Sequence, residues 1–110
     1  MAEFLTVTTE HIPGYKVVEV YGEVFGVTTR SRNVASNFLG SLKTIVGGEI
    51  SQFTQLIEET REEALRKLKQ EALEKGANAI VMMRFDTEAI VQGVGATVAY
   101  GTAVRVEKEG

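Results

Sequence analysis

The segments after residue 78 constrain the fold most, because they place apolar side chains on both faces of a predicted strand. Residues 96–107 predict a long final strand in which a row of larger side chains alternates with a row of small ones. The larger row contains Val98, Tyr100, Thr102, Val104 and Val106, and the small row contains Ala99, Gly101 and Ala103. A preceding strand is predicted at residues 79–86, with Ala79, Val81, Met83 and Phe85 sharing one face. Because a sheet with one wet face needs polar residues at alternate positions, we expect both faces to be covered.

A long amphipathic helix is predicted from about Ser51 to Lys75. Ser51 is a suitable N-cap, Gly76 is a stop signal, and strong helix formers fill the span between them. At about 100° per residue, the apolar side chains occupy one arc of this helix. They are Phe53, Leu56, Ile57, Ala64, Leu65, Leu68 and Ala72. The arc predicts that the helix packs on one face of the sheet.

The first half of the chain predicts further strands and a short helix. Strands are predicted at residues 4–9, 16–22 and 24–29. The last two are either separate strands or one long strand bent at Gly22 or Gly26. Residues 30–48 predict one short amphipathic helix. This order of elements predicts an α+β fold with two layers, a mainly antiparallel sheet and one long helix.

Composition limits the chemistry that is open to the chain. Its 110 residues suit one domain, residues 1–110. Zero Cys and a single His, His11, leave no thiolate metal site and no multi-His site within one chain. A net charge of −3 does not favour partners such as nucleic acid or an acidic membrane surface. Without a signal-peptide pattern or an apolar run of about 20 residues, we expect a cytoplasmic protein.

Self-assembly is the first expectation from the two-sided strands. One long helix and one short helix cannot cover both faces of such a sheet, and an exposed patch beyond a few hundred Å² is unusual for a monomer. Another subunit of the same protein is therefore the expected cover, which makes the chain a homo-oligomer. The alternative is a monomer in which residues 30–48 fold over the second face.

A small anionic ligand is a second possibility. Residues 30–48 are locally basic, and the glycines before the long helix lie where free backbone N–H groups can hold an anion. The candidate binding residues, at a subunit interface, are Arg30, Gly47, Gly48, Glu49 and Arg61. The alternative is that the two glycines only let the chain turn into the helix.

Arg61 falls inside the apolar arc of the predicted helix, where an unpaired charge would cost several kcal/mol. Its candidate partners are Asp86, Glu49 and Glu58. Because Arg84 and Asp86 are expected on the same sheet face, a salt-bridge network of Arg61, Arg84 and Asp86 is one hypothesis. This network would hold the helix on the sheet, and the other interpretation of Arg61 is a ligand-binding role.

The sequence contains no recognisable catalytic set or cofactor motif. It lacks a serine nucleophile motif and a Walker lysine, and its Gly93-Val94-Gly95 precedes a strand instead of opening a helix. We therefore expect no cofactor and a non-enzymatic role. The remaining metal option is a hard-cation site at carboxylates such as Asp86 and Glu88, repeated by symmetry between subunits.

Several motifs together resemble the YbjQ family, a prokaryotic family of small uncharacterised proteins that carries a heavy-metal-binding label. The motifs are Val46-Gly47-Gly48-Glu49, Glu59-Thr60-Arg61-Glu62-Glu63-Ala64, Lys75-Gly76-Ala77-Asn78-Ala79-Ile80-Val81, Arg84-Phe85-Asp86 and Tyr100-Gly101-Thr102-Ala103-Val104. The resemblance covers essentially the whole chain. It implies a dodecin-like α+β subunit that assembles as a homopentamer. The sequence thus predicts a ring-forming binding or scaffolding protein, with anion binding and metal binding as the alternatives.

Overall fold

Among the residues that the structure describes, four strands form one sheet, and a long helix lies on one of its faces. In the computed structural model, which describes residues 4–30, 50–91 and 94–109, they are β1 (Leu5–Thr6), β2 (Tyr15–Arg30), α1 (Ile50–Glu74), β3 (Ala79–Val91) and β4 (Val94–Lys108). The strand order is β1-β3-β4-β2, with β1 parallel to β3 and the other pairs antiparallel. The predicted α+β fold and long helix are confirmed. The short helix predicted within residues 30–48 lies outside the described residues.

β2 is the single bent strand, which was one of the two alternatives for this region. Its pairing with β4 shifts register between Val17 and Glu19 and again between Val20 and Gly22. Each shift inserts one extra residue, and such bulges bend a strand and increase its twist. Gly22 has a φ of 102°, a backbone conformation that glycine adopts without steric cost. The strand therefore bends at its first half and runs regularly from Gly22 to Arg30.

The predicted face of β3 is wrong, because a bulge at Met82 reverses the alternation of side chains. Met82 has a φ of 57°, and the pairing with β4 shifts register between Val81 and Arg84. Ala79 and Val81 consequently pack with Val104 and Val106, whereas Met83 and Phe85 pack on the helix side. One inserted residue thus splits the four residues expected on one face between both faces.

The core on the helix side depends on small residues that let α1 lie close to the sheet. Its buried residues come from the helix, all three long strands and the turn after the helix: Val24, Ala64, Leu68, Ala72, Ala77, Ile80, Ala99 and Ala103. The predicted row of small side chains on the last strand therefore faces the helix. At Gly26 of β2, an added Cβ would overlap the carbonyl oxygen of Ala64 and the amide nitrogen of Leu68. The backbone of α1 therefore contacts β2 directly at this glycine.

A second apolar cluster lies on the opposite face of the sheet. Its buried members are Ile12, Ala79, Val81, Val104 and Val106, with Leu5, Val7 and Tyr15 packed against them. The segment from β1 to the start of β2 therefore serves as the cover for one end of this face. Farther along β2 the same face carries exposed apolar side chains.

We expect Gly26→Ala to destabilise the protein by about 3 kcal/mol, because the methyl group has to displace helix backbone and not a flexible side chain. Urea unfolding followed by circular dichroism measures the change. Gly14→Ala is the control. Gly14 has a φ of 84° and open space around a built Cβ, so its substitution should cost only about 1 kcal/mol of backbone strain. Equal losses in the two variants would contradict the close helix–sheet contact.

Candidate functional site

A pocket of about 340 Å³ lies between the N-terminal half of α1 and the adjoining end of the sheet. The helix contributes Leu56, Ile57, Thr60 and Arg61, and the strands contribute Thr28, Thr87, Gly95, Ala96 and Thr97. Pockets of 300–1,000 Å³ with apolar walls and a few polar groups are typical of small-molecule sites. This pocket combines four threonine residues, apolar helix residues and one guanidinium group.

Three of the threonines form a row across three neighbouring strands. Thr28 of β2 pairs with Thr97 of β4, and Thr97 pairs in turn with Thr87 of β3. The row lies on the helix side of the sheet, since it continues the alternation of Gly26 and Ala99. Thr28 and Thr97 are only 2% and 9% exposed. The strand register therefore builds a hydroxyl-bearing floor beneath α1.

The Thr28 hydroxyl has no partner in the part of the chain that the structure describes. Its Oγ1 is buried without a hydrogen bond to any described residue. A buried polar group without a partner costs about 1–3 kcal/mol, and few such groups occur in native proteins. On the opposite wall, the Thr60 hydroxyl donates a hydrogen bond of 2.8 Å to the carbonyl oxygen of Leu56. Among the described residues, Thr28 is therefore the pocket residue whose hydroxyl is buried without a partner.

Arg61 supplies the positive charge of the pocket. Its guanidinium carbon lies 5.4 Å from the centroid of the Phe85 ring, in the geometry of a cation–π contact. The side chain is exposed in the subunit, although its position falls inside the apolar arc of the helix. Stacking on Phe85 explains how an arginine is accommodated there, because the ring faces the helix with the core cluster.

Within residues 4–30, 50–91 and 94–109, no ion pair joins Arg61, Arg84 and Asp86. Arg84 donates hydrogen bonds to the carbonyl oxygens of Thr8, at 2.7 Å, and Met83, at 2.9 Å. Arg84 and Asp86 pair with Tyr100 and Val98 on the face that points away from the helix. The sheet thus separates Arg61 from Asp86 within one subunit. The network stays a prediction that contacts between subunits would have to satisfy.

Most of the predicted anion-binding set lies outside the described residues. Gly47, Gly48 and Glu49 lie outside the described residues, and only the backbone of Arg30 is described, as the last residue of β2. Arg61 is the member of the set that lines the pocket. The grouping of all five residues stays a prediction.

Metal-ligand groups are sparse in the described residues. Within residues 4–30, 50–91 and 94–109, no group of three or more His, Cys, Asp or Glu side chains is arranged to hold a metal ion. His11 lies in a different pocket, of about 460 Å³, beside Glu10 and Glu109. Within the same described residues, no helix is both long enough and apolar enough to cross a membrane.

Side chains of α1 cap the outer edge of β2. The amide of Phe25 donates a hydrogen bond of 3.2 Å to Oε2 of Glu71, and Nζ of Lys67 donates one of 2.9 Å to the carbonyl oxygen of Val27. Lys67 and Glu71 are four residues apart and so lie on one face of the helix. Together they satisfy backbone groups that an edge strand otherwise offers to another chain.

Tyr21 carries the clear pKa shift among the described residues, and it lies outside the pocket. Desolvation raises the pKa of its phenol above the ordinary value. Its 3.1 Å hydrogen bond to Glu19 and the negative charge of Glu19 act in the same direction, while the charge of Arg105 acts against them. Tyr21 also packs against the helix-side core, so its hydrogen bond to Glu19 has a structural role.

The threonine row is the part of the site that sequence reasoning missed. Thr28, Thr87 and Thr97 lie in separate strands, and threonine is common in any strand. Their meeting depends on the register of two strand pairs, one of which follows the Met82 bulge. The available signal was weak: Thr97 shares a face with the small row of β4, which was expected to be covered.

Comparison with known proteins places the chain among small proteins without an assigned function. The family model YbjQ_1, described as "Putative heavy-metal-binding", matches residues 4–107. A UPF0145 protein of Lactococcus lactis subsp. cremoris (strain MG1363) is 54% identical over 108 residues, covering 98% of this chain and 99% of the relative. A UPF0145 protein of Bradyrhizobium sp. (strain ORS 278) is 52% identical over 103 residues, covering 94% and 93%.

One solved structure is similar in fold. It is the crystal structure of a protein of unknown function that belongs to the DUF74 family, from Pediococcus pentosaceus ATCC 25745. The TM-score is 0.61 at 18% sequence identity, and the match covers 94% of this chain and 98% of that chain. At this identity the similarity concerns the fold alone.

A double-mutant cycle should detect the contact between Arg61 and Phe85. We expect Arg61→Met and Phe85→Leu to be coupled by about 0.5–1 kcal/mol in the free energy of unfolding, as for other exposed cation–π pairs. The control cycle replaces Arg61→Met by Arg66→Met, at an exposed position of the same helix. Coupling near zero in the first cycle, or equal coupling in both, would argue against the stacked geometry.

Proposed function

The chain belongs to the YbjQ family, and we propose that this member works as a ring-forming homo-oligomer, a cytoplasmic binding or scaffolding protein. The observation that carries the proposal is an exposed apolar area on the sheet face opposite α1, which we call the open face. It consists of Val20, Phe25 and Val27 of β2 with Tyr100 of β4. These side chains are 63%, 48%, 46% and 38% exposed, respectively.

The open face supports assembly because its burial is strongly favourable. Fully burying a large apolar side chain contributes about 1.5–3 kcal/mol, and each of these partly exposed side chains would contribute a share of that. Phe25, Val27 and Tyr100 are neighbours in the strand register, while Glu23 lies between them and Val20. The N-terminal segment covers only the neighbouring end of this face, around Val104 and Val106. A second copy of the chain is the partner we propose for this surface.

Contact through the face is preferred to strand addition at the edge. Lys67 and Glu71 already occupy backbone groups of Phe25 and Val27 on the β2 edge. A closed ring requires a heterologous contact, in which the open face of one subunit meets a different surface of the next. Five subunits is the number implied by the resemblance to dodecin-like family members.

A second candidate role is the binding of a small anionic ligand. The observation that favours it is the position of Arg61 at the threonine-lined pocket. The family description names heavy-metal binding, but this sequence contains no Cys and one His, and these residue types supply the ligands for soft metals. We therefore place metal binding behind these two roles.

Charge on the open face should dissociate the assembly. We expect the wild-type protein to sediment at a multiple of its 12.0 kDa subunit mass, and native mass spectrometry to give five subunits. Val27→Lys combined with Tyr100→Lys should shift the mass towards one subunit, since a desolvated lysine is strongly unfavourable in an apolar contact.

Two controls separate the open face from other surfaces. Gln70→Lys adds a charge to the exposed side of α1, and Lys67→Met releases the cap at the β2 edge. Both variants should keep the mass of the wild type. A wild-type mass of a single 12.0 kDa chain at all protein concentrations would refute the assembly. Dissociation by Lys67→Met alone would move the interface to the edge.

A further inference from the structure

We propose that the pocket beneath α1 binds a small organic monocarboxylate with an apolar body, held by Arg61 and the Thr28 hydroxyl. The inference deepens the second candidate role above and rests on it. It does not depend on the number of subunits. It assigns a chemical class of ligand to a pocket whose lining residues come from the helix and from all three long strands.

The charge of the pocket selects an anion. Arg61 is the charged residue among those that line it, and no acidic residue is part of this lining in the described chain. A guanidinium group is planar and binds a carboxylate through two parallel hydrogen bonds. Arg61 lies over the Phe85 ring, and a contact that already restricts the side chain reduces the freedom that is lost when the ligand binds. One guanidinium group matches one negative charge.

The floor of the pocket offers a hydroxyl that lacks a partner. Thr28 is 2% exposed and its Oγ1 has no hydrogen bond among the described residues. A hydroxyl can donate to a carboxylate oxygen, and a charge-assisted hydrogen bond of this kind is about twice as strong as a neutral one. Because Oγ1 itself is fully buried, a ligand oxygen would reach it after the threonine side chain rotates about χ1, and the new hydrogen bond would supply a partner.

The walls of the pocket select for an apolar body. Leu56 and Ile57 of the helix and Ala96 of β4 line it, and Ile57 is still 43% exposed. The volume of about 340 Å³ exceeds what a bare inorganic anion fills. A branched aliphatic or aromatic group attached to the carboxylate would cover these side chains. Phosphate or sulfate would leave them in contact with water, which makes either a poorer occupant.

Titration with matched probes tests the ligand class. The probes are 4-methylpentanoate and benzoate, their neutral amides, and inorganic phosphate, each added to the protein as it assembles in solution. Binding is followed by calorimetry and by chemical shifts of the backbone amides of the pocket residues. We expect the carboxylates to bind at least about tenfold more tightly than their amides and than phosphate, because only they satisfy both Arg61 and the apolar wall.

Variants test the two groups that hold the carboxylate. Arg61→Gln and Thr28→Val should each weaken carboxylate binding by about tenfold or more, as expected for the loss of a hydrogen bond to a charged group. Arg61→Lys should restore part of the affinity. Thr28→Val should also leave the protein as stable as the wild type or more stable, since it removes an unsatisfied hydroxyl. This pairing of weaker binding with undiminished stability distinguishes a ligand contact from a structural one.

Matched controls come from the same chain. Thr6 has the same feature as Thr28, a buried Oγ1 without a partner among the described residues, but it lies in β1 and outside the pocket. Thr6→Val and Arg66→Gln should leave carboxylate affinity unchanged. If Thr6→Val weakens binding as much as Thr28→Val, the effect is structural and the assignment of Thr28 is wrong.

The outcomes separate the ligand class from the underlying role. Absence of binding by every probe up to about 10 mM, judged by both readouts, would overturn the monocarboxylate and the anion-binding role together. Phosphate binding at the pocket as tightly as benzoate would overturn the apolar body and leave the anion-binding role standing. Equal binding of benzoate and its amide would overturn the role of charge. Shifts confined to residues away from the pocket would overturn the site itself.

Discussion

The close contact between the backbone of α1 and Gly26 of β2 is the constraint on which the rest of the structure depends. Any side chain at Gly26 would overlap the backbone of Ala64 and Leu68, so the distance between the two layers is set by the absence of a Cβ. At that distance small residues such as Ala99 and Ala103 pack against the helix, together with Val24 and Ile80. Thr28 lies two residues after Gly26 on the same face of β2. This position carries a side chain, and the pocket begins there.

The two faces of the sheet are covered by different segments, and each of the two proposed roles uses one face. The helix face is closed by α1 along the core, and a pocket opens at the threonine row. The opposite face is closed by the N-terminal segment around Ile12 and is apolar and exposed at Phe25 and Val27. A ligand pocket and an assembly surface thus lie on opposite sides of one sheet. Lys67 and Glu71 protect its β2 edge at the point where the two sides meet.

Periodicity was sufficient to predict the elements whose pattern is local. The helix at Ile50–Glu74 and the small row of β4 were both predicted, because capping signals and alternation depend on residues close in sequence. The prediction failed at Met82, where one residue in a left-handed conformation moves Met83 and Phe85 to the other face. Nothing in the local sequence marks this bulge, since methionine has no preference for positive φ.

By itself the sequence determined the class of this protein: an α+β chain with one long helix, too little thiol or imidazole for a soft-metal site, and more apolar strand surface than one helix covers. Those properties follow from composition and short-range spacing. Only the tertiary structure decided which residues meet. Thr28, Thr87 and Thr97 become neighbours through strand register, and Arg61 faces Phe85 instead of Asp86 because the sheet lies between them. Register is a long-range property, and a single inserted residue is enough to change it.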